Sequence, residues 1–190
     1  KEGDFLKSNI EKDIETYFGK QNVCLIANLP YYITSPILLK LLEEVPSVKD
    51  IVIMIQKEVA DRFVAKPNTK DYNALSVLIQ YFTHAEKLFD VSPNAFIPAP
   101  KVSSSVIHLS YRDKVSLGGD DLTFFLKFNR NIFKQRRKTL VNNICASFNI
   151  SKESASKILL DNGFKDTIRS EALSVEEIVN LSKIFKDKLS

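Results

Sequence analysis

Cysteine is scarce in this chain of 190 residues: Cys24 and Cys145 stand alone, without CxxC spacing. Such a pair is expected to be two reduced core thiols and not a disulfide or metal site. His84 and His108 have no partners at ligand spacing, so both are expected to be structural and no metal is expected. Ser103-Ser104-Ser105 has no nearby His/Asp arrangement of the kind that activates a nucleophile. No run of roughly 18 apolar residues occurs, so no membrane span is expected. No charged-then-apolar leader is visible, and the expected location is the cytoplasm. The first residue is Lys1, not Met, from which we expect the true N-terminus to lie elsewhere. Glycine is limited to Gly3, Gly19, Gly118, Gly119 and Gly163, with no Gly-x-Gly anywhere.

Acidic residues are missing where basic ones gather. Residues 1–112 balance 13 Lys/Arg against 13 Asp/Glu, whereas residues 113–190 hold 14 against 10. Leu122 to Ile150 contains no Asp or Glu at all, while Lys127, Arg130, Lys134, Arg136, Arg137 and Lys138 cluster there. A concentrated positive patch suits a polyanion, because neutralising phosphates releases condensed counterions. A solvated helix face is the bland alternative.

The apolar run Val23–Ala27 predicts a strand buried on both faces. A helix is expected after it, with Ser35 as N-cap and Pro36 as its first residue. Asp50–Gln56 predicts a second buried strand, Lys57 to about Ala65 a helix, 67–70 a loop and Asn73–Phe82 another helix. Lys87–Val91 and Val102–Tyr111 predict two more strands around a proline-rich connector, with an antiparallel edge on an otherwise mostly parallel sheet. Gly118-Gly119 suggests a boundary between an α/β domain, 1–117, and a small all-helical domain, 118–190. Helices are expected at 121–133, 137–147, 151–162 and 174–187, with Ser151 as a cap, a capping box at Ser174–Glu177 and a stop at Gly163. Arg136 would fall on the apolar side of one continuous helix, so a break is expected near Gln135.

The first strand runs into Asn28-Leu29-Pro30-Tyr31. A polar residue at the C-terminal end of a buried strand is in the usual place for a ligand site in an open α/β sheet. Methylating an adenine amine requires a nitrogen whose lone pair is otherwise delocalised into the ring. Two acceptors aimed at its hydrogens would free that pair for attack on a methyl sulfonium. The Asn28 amide oxygen and a backbone carbonyl held by the following proline could supply them, and Tyr31 could stack on the base. A strand–turn–helix junction that merely contains Asn, Pro and Tyr is the structural alternative.

Asn28-Leu-Pro-Tyr-Tyr-Ile-Thr-Ser-Pro36 resembles motif IV of the KsgA-type (RsmA) rRNA adenine dimethyltransferases. Gln56–Arg62, Tyr72–Val77, Phe96–Ser105, Gln135–Leu140 and Arg169–Ser174 are similar to further blocks of that family, in the family order. The resemblance implies a partial Rossmann-like class I methyltransferase sheet (later strands only) with a C-terminal helical domain. It implies S-adenosylmethionine-dependent N6,N6-dimethylation of two adjacent adenosines near the 3′ end of small-subunit rRNA, within a pre-30S particle. Asn28 and Leu29 would accept from the target amine, with Pro30 stiffening the turn, and Tyr31 and Phe96 would stack on the base. Gly3-Asp4-Phe5-Leu6 is similar to the family's short acidic motif, which implies cofactor contacts for Asp4, Phe5 and Asn28. The resemblance suggests RNA contact by Arg136-Arg137-Lys138, and Arg130 and Lys134 of the same basic cluster would join them. The family's glycine-rich cofactor loop and acidic ribose ligand have no counterpart among these residues, so the chain by itself is expected to be inactive and to bind the cofactor weakly. A non-catalytic RNA-binding or ribosome-assembly protein on the same scaffold is the alternative. The related antibiotic-resistance methylases of large-subunit rRNA are a third reading, against which Leu29 and the Gln135–Leu140 and Arg169–Ser174 blocks argue.

Overall fold

A computed structural model describes residues 2–30, 32–113 and 115–189. The elements run α1 (Ile10–Phe18), β1 (Val23–Asn28), α2 (Thr34–Glu44), β2 (Val48–Gln56), α3 (Lys57–Phe63), α4 (Ala74–Phe82), β3 (Thr83–Val91), β4 (Ser104–Tyr111), α5 (Gly119–Ile132), α6 (Leu140–Ser147), α7 (Lys152–Asp161) and α8 (Val175–Leu189). Single 3-10 turns occupy Pro93–Ala95 and Ser170–Ala172. The fold is mixed α/β, and it packs as two compact units: 1–64 with 82–113, and 65–81 with 114–190.

In the first unit the strand order is β1-β2-β4-β3. β1 and β2 pair in parallel, while β4 lies antiparallel between β2 and β3. The antiparallel component is therefore larger than an edge: two of the three ladders contain β4, although β1, β2 and β3 share one direction. Leu38 and Leu41 of α2, Ile51, Ile53 and Ile55 of β2, Phe63 of α3 and Ile107 and Leu109 of β4 are fully buried and form its core. Each such side chain contributes about 1.5–3 kcal/mol through burial.

Two expectations for this unit fail. β1 is not buried on both faces. Its residues alternate half-buried and exposed, with Cys24 exposed and Ile26 at 80%. It is the outer strand, and only its Val23, Leu25 and Ala27 face is partly covered; a continuous apolar run cannot distinguish that case from full burial. Cys24 is accordingly not a core thiol. Nor does Ser35 cap α2, which starts at Thr34 after Ile33 with no side-chain cap. The buried Thr34 hydroxyl donates to the Pro30 carbonyl at 3.1 Å, and Pro36 sits in the first turn, where a helix has no amide partner to lose. Helix α1, unforeseen in the apolar pattern, is capped by the Asn9 side chain accepting from the Lys12 amide at 3.0 Å.

The second unit is helical. Phe125, Phe128 and Ile132 of α5 and Leu140 of α6 are fully buried. Phe128 stacks on Phe185 of α8 at 5.6 Å and lies 5.8 Å from Phe148. Ser174 and Glu177 form the reciprocal capping box, the Ser151 side chain caps α7, and Gly163 turns the chain at φ 82°. Residues 65–81 belong here and not with the sheet. The Leu117 amide donates to the Tyr81 hydroxyl, Asn129 Nδ2 donates to the Ala74 carbonyl, and the Tyr81 and Phe125 rings lie 4.7 Å apart.

α6 begins at Leu140 and not at 137, because Thr139 caps it and residues 133–139 form a turn. The break expected near Gln135 is there, held by the buried Asn143. Its Oδ1 accepts from the Gln135 amide and its Nδ2 donates to the Gln135 carbonyl, both at 3.1 Å.

Candidate active site and basic face

The register brings three strand ends together. Asn28 is opposite Met54, and Gln56 and Val91 are both opposite Ser104, so the C-terminal ends of β1, β2 and β3 share one end of the sheet. There the Leu29 amide extends the ladder to the Met54 carbonyl at 3.4 Å, and the buried Leu29 side chain anchors the turn. The Pro30 carbonyl accepts from the Ile33 amide and the Thr34 hydroxyl, which closes the turn into α2. Asn28 itself is exposed.

Facing this turn is the connector between β3 and β4. Asn28, Leu29 and Pro30 line one wall of an open pocket of about 390 Å³, and Phe96, Ile97, Pro98 and Pro100 line the other. Two segments far apart in sequence thus meet at one cavity. Phe96 is half-buried, so it is not simply a core aromatic. Its amide donates to the Pro93 carbonyl at 3.2 Å, and the Ile97-Pro98 peptide is cis. Tyr31, the stacking residue expected from the sequence, lies outside the described residues.

Sequence reasoning missed what holds this connector. Asp90, the penultimate residue of β3, bonds the Lys57 ammonium at the start of α3, accepts from Ser105 Oγ at 2.7 Å and lies 3.6 Å from Lys87 Nζ. Lys87 also donates to Asp61 of α3 at 2.8 Å, and the Lys57 amide donates to the Ser103 carbonyl at 3.0 Å. The Lys57 hydrogen bond, then that of Ser105, holds the Asp90 carboxyl down at about 2. No local motif signals this network, because it depends on the pairing of Asp90 with Ser105 across an irregular register.

Asp4 and Phe5 do not line the pocket. Asp4 is exposed; its Oδ1 accepts from the Leu6 amide at 3.0 Å, and its carbonyl accepts from Ser8 Oγ at 2.8 Å. Phe5 is half-buried. His108 Nε2 lies 2.8 Å from Asp50 Oδ1, and His84 is exposed.

The chain matches the ribosomal RNA adenine dimethylase family over residues 2–187. It belongs to that family. Among relatives, it is 46% identical over 183 residues to ribosomal RNA small subunit methyltransferase A of Bacillus cytotoxicus and 45% to that of Bacillus mycoides. In each case the match takes in 94% of this chain and 63% of the relative's length. A crystal structure of a dimethyladenosine transferase from Plasmodium falciparum superposes with a TM-score of 0.79 at 25% identity, covering 99% of this chain and 72% of that one. The 23S rRNA methyltransferase ErmE shares the fold, with a TM-score of 0.64 at 21% identity over 95% of this chain and 69% of its own.

This dimethylase-family chain carries its expected basic residues on the helical unit. Arg130, in the last turn of α5, is exposed, as are Lys134, Arg136, Arg137 and Lys138 in the turn that follows. Of these five, only Arg130 is helical; the others lie in the turn between α5 and α6. Arg136 Nε lies 3.5 Å from Glu171 Oε2. Among the described residues no group of side chains could hold a metal, and no helix is long and apolar enough to cross a membrane.

Proposed function

We propose that this chain is the target-base portion of an S-adenosylmethionine-dependent enzyme that converts two adjacent adenosines near the 3′ end of small-subunit rRNA to N6,N6-dimethyladenosine, in a cytoplasmic pre-30S particle. The observation that carries this reading is the pocket where Asn28-Leu29-Pro30 meets Phe96-Ile97-Pro98 at the C-terminal end of the sheet. An exposed amide at that place can accept from the flipped adenine amine, and the Leu29 carbonyl, on a turn braced through Pro30, can accept its second hydrogen. Together they favour a pyramidal nitrogen with its lone pair free. Phe96 supplies an aromatic face for the base, and Tyr31 is proposed as the other. The turn at 134–138, with Arg130, binds the RNA backbone, and arginine suits that role through bidentate phosphate contacts.

S-adenosylmethionine supplies an electrophilic methyl group when bound. Asp4 fits its adenine amine: one carboxylate oxygen is oriented by the Leu6 amide, and the other meets the exposed Lys7 only loosely, at 3.5 Å, so it retains acceptor capacity. Phe5 and Asn28 are the neighbouring contacts proposed for it. We further propose that the 190 residues alone bind the cofactor weakly and are inactive, since no Gly-x-Gly turn is available for close backbone approach.

The test is methyl transfer to unmethylated small subunits by the full-length enzyme. Asn28→Ala should lower the single-turnover rate by about 10²–10³-fold, the loss typical of one charge-stabilising group, with RNA affinity unchanged. An undiminished rate, or methylation of large-subunit RNA instead, would refute the reading.

A further inference from the structure

We propose that the RNA-binding face extends beyond the turn at 134–138 to the loop around Asn68, with Lys66 and Lys70 as phosphate contacts and Glu171 as the residue that positions the cations. The inference rests on the reading of the turn as an RNA face, and adds to it residues outside the acid-free segment.

Glu171 lies in the 3-10 turn after Arg169 and joins three segments that are remote in sequence. Its carboxylate stands 3.5 Å from Arg136 Nε and 4.0 Å from Arg169 Nη1. Its backbone carbonyl accepts the Asn68 amide at 2.8 Å. The segment leading into it is anchored twice: the Ser170 hydroxyl donates to the Ile132 carbonyl at 2.6 Å, and the Leu140 amide donates to the Ile168 carbonyl at 2.8 Å. Asn68 sits at φ 65°, in the left-handed region that asparagine tolerates better than most non-glycine residues, and its amide bond to Glu171 ties that turn to the 3-10 segment. Lys66 and Lys70 flank Asn68 by two residues on either side, and both are exposed. The Lys66 carbonyl accepts from Thr69 Oγ1 at 2.7 Å, so the loop has a defined shape.

The charge balance identifies the partner. One carboxylate, 26% exposed, is shared by two guanidiniums that are 46% and 54% exposed. Sharing orients both cations without neutralising both, and the assembled face stays positive once Lys66 and Lys70 join it. Exposed cations, two of them drawn toward one carboxylate, suit the phosphate backbone of RNA, for which pre-oriented guanidiniums lose less entropy on binding.

The experiment measures binding of the 190-residue chain to a short double-stranded RNA across about 50–200 mM salt. Lys66→Ala/Lys70→Ala should weaken binding and flatten the log K against log salt slope by about 0.9 for each phosphate that is no longer neutralised. Lys152→Ala/Lys157→Ala, on exposed positions of α7, removes the same charge and should leave the slope unchanged. Glu171→Gln removes an anion, so simple charge arithmetic predicts tighter binding; a positioning role predicts weaker binding. An unchanged slope in the Lys66/Lys70 pair, an equal loss in the α7 pair, or tighter binding by Glu171→Gln overturns the inference. Arg136→Gln/Arg137→Gln/Lys138→Gln separates the two levels. If that variant also binds normally, the RNA reading of the turn fails; if it alone weakens binding, only the extension fails.

Discussion

Replacing Phe96 with alanine separates the function of the pocket from the stability of the unit that carries it. Phe96 is half-buried in a stretch of the connector whose backbone bonds are local, from Ala95 to Ser92 and from Phe96 to Pro93. Full burial of such a side chain is worth about 1.5–3 kcal/mol, so losing the half-buried ring should cost about 1 kcal/mol of stability. A fully buried ring such as Phe125 should cost about 3–5 kcal/mol. Base stacking on an aromatic is worth about 1–3 kcal/mol, or roughly 5–150-fold in affinity. The functional loss should therefore equal or exceed the structural one. The assay is titration of a single-stranded RNA carrying one 2-aminopurine, whose fluorescence is quenched by stacking. Wild type and Phe96→Tyr should quench it similarly, while Phe96→Ala should show weaker binding and most of the quenching lost. Unchanged quenching and affinity in Phe96→Ala, with the fold intact by circular dichroism, would refute the assignment of Phe96 to the base.

Two further predictions concern the sheet unit. The Asp90 carboxyl is depressed from 3.8 to about 2 by Lys57, Ser105 and Lys87, so its contribution is complete above about pH 4 and is lost as the pH falls toward 2. Amide exchange in β3 and β4 should accelerate over that window. Asp90→Asn should show the acceleration already at neutral pH and no acid step; an identical acid step in the variant would exclude Asp90 as its source. The cysteines should differ in reactivity. Cys24 is exposed, while Cys145 is half-buried with its thiol pushed up by burial, which lowers its thiolate fraction. A thiol reagent at pH 8 should give a fast and a slow phase, with Cys24→Ser removing the fast one; loss of the slow phase instead would contradict the exposure of the outer strand.

What was legible in the sequence was local. The capping box of Ser174 and Glu177 and the Ser151 cap each depend on neighbours within one helical turn, and each is present. The errors arise where a local pattern has two physical outcomes. Val23–Ala27 is equally compatible with a covered strand and with an outer one, and only the strand order decides. Ser35 reads as the cap of α2, yet the helix already starts at Thr34, whose hydroxyl donates to the Pro30 carbonyl four residues back. Residues 65–81 read as part of an alternating α/β chain, yet Tyr81 and Ala74 find their partners at Leu117 and Asn129, which no local window contains.

The candidate site divides along the same line. Asn28 at a strand end is a candidate from the residues themselves, whereas Phe96 enters only through the family resemblance. Their meeting was not legible, because it requires β4 to lie antiparallel between β2 and β3. That placement sets Val91 and Gln56 opposite the same residue, Ser104, and so returns the connector to the end of the sheet where β1 delivers Asn28. It also brings Asp90 against Ser105 and Lys57, so the arrangement that forms the pocket supplies the charges that brace it. Disrupting the β3–β4 register should therefore impair the Phe96 wall before it affects the turn at Asn28, whose bonds to Met54, Ile33 and Thr34 are made without β3 or β4.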